Sequence, residues 1–252
     1  MDADHLSVRL ATVADYVPMG SRLADIGTDH AYLPVNLAKR GKIVGGVAGE
    51  VVKGPFENAQ HEIEKEGLTS RITARLANGL QAIEADDHID TVAIAGMGGT
   101  LIVQILTQDF DRLAGVNRLV LQPNVGEKNV RQFLMTHGFQ LVTEQIVTED
   151  GHDYEILVAD RADNPQQYSA EDLRFGPYLL AEHNAIFMAK WRRELARTRQ
   201  VLAQVQSAKE VPTAKIAELT AEIKEIEEVL QRVGAVSYTH LRAHETLRHG
   251  VC

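Results

Sequence analysis

Residues 23–34, Leu-Ala-Asp-Ile-Gly-Thr-Asp-His-Ala-Tyr-Leu-Pro, constrain the fold more than any other stretch of the chain. The alternation up to Ile26 reads as a buried strand, Gly27 as a tight turn, and the residues from Tyr32 as a helix. Gly27 suits the turn because it adopts backbone angles that a side chain opposes. Asp25 and Asp29 bracket the turn with negative charge. A helix N-terminus is electropositive and ordinarily draws phosphate. Two carboxylates there make a poor pyrophosphate cradle and favour a cationic or hydroxyl-rich ligand.

Around this unit the chain alternates short apolar runs with helical segments. Leu6, Arg9, Leu10 and Val13 have helical spacing upstream of it. Residues 43–48, 72–76, 91–95 and 118–121 read as four further strands, so the pattern is that of a parallel, doubly wound α/β sheet. Gly45, Gly46 and Gly49 fall within or just past the second strand and read as packing glycines. Residues 140–147 and 154–159 break the alternation, because no helix separates them; they predict an antiparallel hairpin. A five-stranded parallel sheet closed by such a hairpin is the Rossmann-like sheet of class I methyltransferases. The Gly-x-Gly-x-x-Gly of nicotinamide dehydrogenases is missing. This domain is expected over residues 1–161.

Residues 160–167 are polar and read as a linker. Met188, Trp191, Leu195, Thr198, Leu202 and Val205 then recur at alternating intervals of three and four, as do Ile216, Leu219, Ile223, Ile226, Leu230 and Val233. With a loop around Pro212 between them, they predict an antiparallel two-helix coiled coil over residues 162–235. From Val236 the heptads stop. His240, His244, His249 and Cys252 admit a zinc reading, but residues 236–252 read as a vector-encoded or read-through tail and carry no functional expectation.

The chain has 26 Lys and Arg against 35 Asp and Glu, a net charge of −9. That opposes wholesale coating of nucleic acid and leaves room for a local basic patch. Lys190, Arg192, Arg193, Arg197 and Arg199 form such a cluster, with Glu194 opposing them. A stripe that contacts phosphates and a plain solvated helix face both fit. No apolar run reaches membrane-spanning length, the acidic N-terminus lacks a secretory signal, and Cys252 is the sole cysteine. These features predict a cytoplasmic protein with no membrane partner and no metal. They leave monomer and weak homodimer open.

The strand ends suggest a chemistry. S-adenosyl-L-methionine carries a sulfonium, an ammonium and a ribose. Asp25, Gly27 and Asp29, with His30 beside them, suit its methionine end. Glu50 follows the second strand at the interval where an acid meets ribose hydroxyls. Asn78, with Gly79, ends the third strand and suits the adenine. Gly96, Met97, Gly98 and Gly99 follow the fourth strand, as a plain turn or as an opening for a flat acceptor. Gln122, Pro123 and Asn124 follow the fifth and offer amides to a base edge, or a turn with a helix cap. Arg9 lies just upstream of the glycine turn.

On residues 24–34, 94–99 and 121–124 together, the chain closely resembles the bacterial tRNA (adenine-22-N1)-methyltransferase family, from Leu6 to about Val233. The resemblance implies S-adenosyl-L-methionine as methyl donor and an adenine of the tRNA D-arm as acceptor. It makes Asp29 and Asn124 the candidates for the groups around N1 and the exocyclic amine. Gly96 and Met97 then fall on the donor side, and Arg9, Gly98, Gln122 and Pro123 on the acceptor side. Arg192, Arg193 and Arg197 become tRNA contacts. Asn78 departs from the aspartate common in the superfamily, and the tail from Val236 has no counterpart. The alternative is a class I methyltransferase acting on another RNA or a small molecule, with the coiled coil as a dimerisation element.

Overall fold

The computed structural model describes residues 2–207 and 213–248, with side chains up to Arg232. Strands β1 (Ser21–Ile26), β2 (Ile43–Glu50), β3 (Ile72–Leu76), β4 (Thr91–Met97), β5 (Arg118–Pro123), β6 (Phe139–Glu149) and β7 (His152–Arg161) form one sheet in the order β3-β2-β1-β4-β5-β7-β6. The first five run parallel, and β7 and β6 close the edge antiparallel. The hairpin turns on Asp150 and Gly151, both at positive φ, the conformation that matches the twist of two-residue hairpins.

Helices cover both faces, which is why the central strands are apolar on both sides. Leu23, Ala93, Val120 and Val158 pack against α1 (Val8–Tyr16), α2 (Tyr32–Lys39) and α3 (Lys53–Lys65). Ala24, Ile26, Ile94, Leu119 and Leu121 pack against α4 (Gly99–Gln108), α5 (Glu127–Thr136) and α6 (Ala170–Phe175). Gly46 is a packing glycine as expected: a Cβ there would lie 2.0 Å from the Leu23 carbonyl oxygen.

The first compact unit runs to Leu179 and so extends past the expected boundary at residue 161. The reason is a buried ion cluster. Arg131 on α5, fully buried, donates through Nε to Glu144 on β6 at 2.6 Å and through Nη2 to Glu155 on β7. Its Nη1 reaches the Leu173 carbonyl at 3.2 Å, and the Tyr178 N–H donates to Glu144 at 3.0 Å. Burial works against the charge of Arg131, but the two carboxylates hold its pKa above the ordinary value. Gly176 is required here, because a Cβ would lie 2.6 Å from Arg131 Nη2. Residues 160 and 161, read as the start of a linker, end β7, and residues 162–179, expected to belong to the coiled-coil domain, complete the first unit.

Helix α7 (Pro177–Glu182) spans the boundary, and the second unit, from Leu180, holds α8 (Ala185–Gln206) and α9 (Thr213–Arg248). Trp191 and Thr198 on α8, with Leu219, Ile226 and Val229 on α9, are buried, and Arg199 pairs with Glu227 across the two helices. The buried residue at the start of α8 is Phe187 and not Met188. The expected loop around Pro212 falls in residues 208–212, outside the described residues. The α9 backbone runs without a break through residue 236, where the heptads stop. The side chains of His240, His244, His249 and Cys252 lie outside the described residues.

Candidate active site at the carboxyl ends of the strands

Parallel strands place their loops, and hence their ligands, at their carboxyl ends. There β1 delivers Asp25, Gly27, Thr28 and Asp29 to a cavity of about 110 Å³, lined also by Arg9, Leu10, Tyr32, Leu33 and Ala95. Gly27 has φ +76°, and a Cβ would lie 1.9 Å from the Met97 methyl carbon, so turn and packing both demand glycine. Asp25 is buried, and burial pushes its carboxyl up to about 6. A bond from Thr28 pulls it down and the charge of Glu50 pushes it up. Two neighbouring carboxylates in a poorly hydrated site are a place for a cation.

Glu50 ends β2 and is nearly buried. Its Oε1 accepts from the N–H groups of Val51 and Val52, both at 2.8 Å, which fixes the carboxylate at the strand end. The Ala77 N–H donates to the Glu50 carbonyl at 2.8 Å and ties the end of β3 to the same edge. Asn78 follows there, exposed. Gly79, at φ +55°, lies so that a Cβ would come within 3.0 Å of Ile105. Asp25 and Glu50 therefore lie at the ends of β1 and β2, and Asn78 two residues past β3, along one edge of the sheet.

Asp29 and His30 differ from expectation. Asp29 is 77% exposed and lies 3.4 Å from His30 Nε2, so no packing holds its carboxylate in place. His30 does not line the cavity; it stacks on Tyr32 with ring centroids 5.1 Å apart. His30 and Ala31 both take positive φ, 87° and 53°, and are strained for residues with a Cβ.

Gly96 and Met97, read as donor-side residues, belong to β4 and not to a turn after it, with a register shift between Ala95 and Met97. Gly98 caps α4, and a Cβ there meets nothing within 4 Å. Gly99, by contrast, is needed inside the protein, where a Cβ would lie 2.3 Å from the Gly126 carbonyl oxygen. Pro123 ends β5 in register with Met97. Gln122 corrects the reading that it touches the base: none of its surface is exposed. Its Oε1 accepts from Arg9 Nη1 at 2.6 Å and from the Gly96 N–H at 2.9 Å. Its Nε2 donates to Asn124 Oδ1 at 3.2 Å, and Asn124 Nδ2 donates to the Gly96 carbonyl at 2.8 Å. Arg9 is half-buried, with its guanidinium 5.5 Å from the Tyr154 ring centroid. Of this chain of groups Asn124 and Gly96 are exposed, Arg9 is half-buried and Gln122 is buried.

In the second unit Arg192, Arg193 and Arg197 are exposed on α8, and Arg197 lies 3.7 Å from Glu194. Sequence reasoning missed Thr28, Leu10 and Tyr32 as cavity residues. Thr28, one residue past Gly27, carried the clearest signal, as a hydroxyl beside a buried acid. Among the described residues no group of three or more His, Cys, Asp or Glu could hold a metal ion.

A sheet of this order, with acids ending β1 and β2 and amides around the end of β5, has the Rossmann-like fold of class I methyltransferases. The profile of the TrmK family, tRNA (adenine(22)-N(1))-methyltransferase, matches residues 23–228, and the chain belongs to that family. A Bacillus subtilis (strain 168) protein named tRNA (adenine(22)-N(1))-methyltransferase is 41% identical over 231 residues, 89% of this chain and 97% of its own length. A Streptococcus pneumoniae structure in complex with S-adenosyl-L-methionine is 43% identical and superposes with a TM-score of 0.82, over 90% of this chain and 100% of that one. A Mycoplasma capricolum TrmK structure with S-adenosyl-homocysteine is 26% identical, with a TM-score of 0.79 over 90% of this chain and 99% of that one.

Proposed function

We propose that this chain methylates N1 of an adenine in tRNA, at position 22 of the D-arm, with S-adenosyl-L-methionine as donor. The observation that carries the reading is the buried Asp25 beside Glu50 at the ends of β1 and β2, a carboxylate pair in want of a cation, within a chain of this family. When bound, the donor supplies a methyl group on a positively charged sulfur. Asp25 faces its ammonium, Glu50 its ribose hydroxyls and Asn78 its adenine. The acceptor needs no general base, because N1 already carries a lone pair. That pair forms the new N–C bond, the C–S pair stays on sulfur, and the positive charge passes to the adenine. The site has to hold the two reactants in line and keep water out. Asn124, held by its hydrogen bonds, accepts from the exocyclic amine, and Asp29, exposed at the cavity, supplies negative charge beside the developing cation. N1 lies on the pairing edge, so a paired adenine has to leave its helix to reach the site.

In this reading α8 and α9 form an antiparallel coiled coil whose Arg192, Arg193 and Arg197 contact tRNA phosphates. Among the described residues no helix is long and apolar enough to cross a membrane; the compartment the reading requires is the cytoplasm, where tRNA is found. The test is transfer of labelled methyl groups into unmodified tRNA and into the same tRNA with guanine at position 22. Label in the first and none in the second supports the reading; equal label in both overturns the assigned position.

A further inference from the structure

The amides of Gln122 and Asn124 are oriented by chemistry and not by packing alone. The Gly96 N–H and Arg9 Nη1 can only donate, so Gln122 must turn its oxygen to them, at 2.9 and 2.6 Å. That turns Gln122 Nε2 toward Asn124, 3.2 Å from Oδ1. The Gly96 carbonyl can only accept, so Asn124 must present Nδ2 to it, at 2.8 Å. Gly96, at φ +80°, thus has both its backbone groups bound by the two amides, and three bonds close a ring that Arg9 braces from outside. Reversing either amide would set donor against donor or acceptor against acceptor.

We infer that Gln122 is a specificity-determining positioning residue: from full burial it holds the exposed Asn124 so that its oxygen is the acceptor offered to the incoming base. This deepens the acceptor reading above and rests on it. An acceptor oxygen at this place suits a base with an amino group at position 6 and repels one with a carbonyl oxygen there. N1 is left free, because the base is held by its amine. Arg9 belongs to the same device, as the cation that, with the Gly96 N–H, fixes Gln122 Oε1 away from Asn124.

Gln122→Glu tests this at nearly constant volume. The glutamate still accepts from Gly96 and Arg9 but has no N–H for Asn124 Oδ1. Methylation is measured on two tRNA transcripts, one with adenosine at the target and one with purine ribonucleoside, which keeps the N1 lone pair and lacks the 6-amino group. The wild type is expected to prefer adenosine. Gln122→Glu is expected to lose about tenfold or more in kcat on adenosine and most of that preference, the size of one misdirected hydrogen bond. Donor affinity measured by calorimetry is expected to change by less than about twofold, which also reports a folded site. Asn124→Ala should add little in the Gln122→Glu background, since the two act as one unit. If the buried carboxyl prevents folding, Gln122→Met is assayed the same way with the same expectations. A variant that prefers adenosine as the wild type does, or losses that multiply in the double variant, would overturn the inference. A wild type that methylates neither transcript would instead remove the functional reading on which it rests.

Discussion

Asp25 carries a prediction that the structure makes quantitative. An aspartate in water titrates near 3.9, and in the protein burial pushes Asp25 up to about 6, against the Thr28 bond and with help from Glu50. Two units at about 1.36 kcal/mol each put the cost of ionising it in the empty protein at about 3 kcal/mol. The sign follows from proton counts. Below about pH 4 the carboxyl is protonated in folded and unfolded chains alike, and there is no cost. As pH rises from about 4 to 6 the unfolded chain releases the proton first, so stability falls, and above about 6 the loss is complete. Asp25→Asn removes this group. In denaturant titrations without donor, the wild type should lose stability across that window relative to Asp25→Asn, and the variant should be the more stable above pH 6. Donor binding should run the other way. If the ionised carboxylate receives the donor's ammonium, calorimetry on the wild type should show affinity weakening by about tenfold per pH unit below 6, and Asp25→Asn should bind weakly at every pH. Parallel stability curves for the two proteins, or a wild-type donor affinity that is flat from pH 5 to 8, would refute the reasoning.

Glu50→Ala should weaken donor binding by about 1–3 kcal/mol, the worth of a hydrogen bond to a fixed charge, with calorimetry as the check. Arg131→Met should destabilise the first unit by about 3–5 kcal/mol, because it leaves Glu144 and Glu155 buried without their cation; a smaller shift in the unfolding midpoint would mean that the cluster relaxes. Charge reversal at Arg192, Arg193 and Arg197 in the full chain should leave donor affinity unchanged and weaken tRNA binding. It should also flatten the salt dependence of that binding, by about one unit of slope for each phosphate that is no longer neutralised.

The donor half of the site was legible because its signals are local. The strand, Gly27 and both aspartates lie within a few residues, and Glu50 follows at a regular interval set by one helix and one strand. The acceptor half was legible in position but not in role. Gln122 looks like a base-reading amide until the fold brings Arg9, from the far end of the chain, against its oxygen. Gly96 looks like a turn residue because the irregularity that keeps β4 going to Met97 depends on its pairing with β5. The domain boundary was misplaced for a similar reason. Residues 160–167 are polar, and nothing local reveals that α6 supplies a carbonyl to Arg131 or that Tyr178 donates to Glu144. Asp29 carries the right charge in the right loop, yet only the three-dimensional packing shows its carboxylate to be exposed.

Methylation of adenine at N1 is read from the chemical identity of the product. Unmodified tRNA is incubated with the protein and S-adenosyl-L-methionine, digested to nucleosides near neutral pH, and resolved by liquid chromatography with mass detection against synthetic standards. Transfer to N1 requires 1-methyladenosine, formed only when protein and donor are both present and reduced when Asn124 is replaced by alanine. Methyl groups recovered as N6-methyladenosine or as any other nucleoside, or no transfer into tRNA at all, would contradict it.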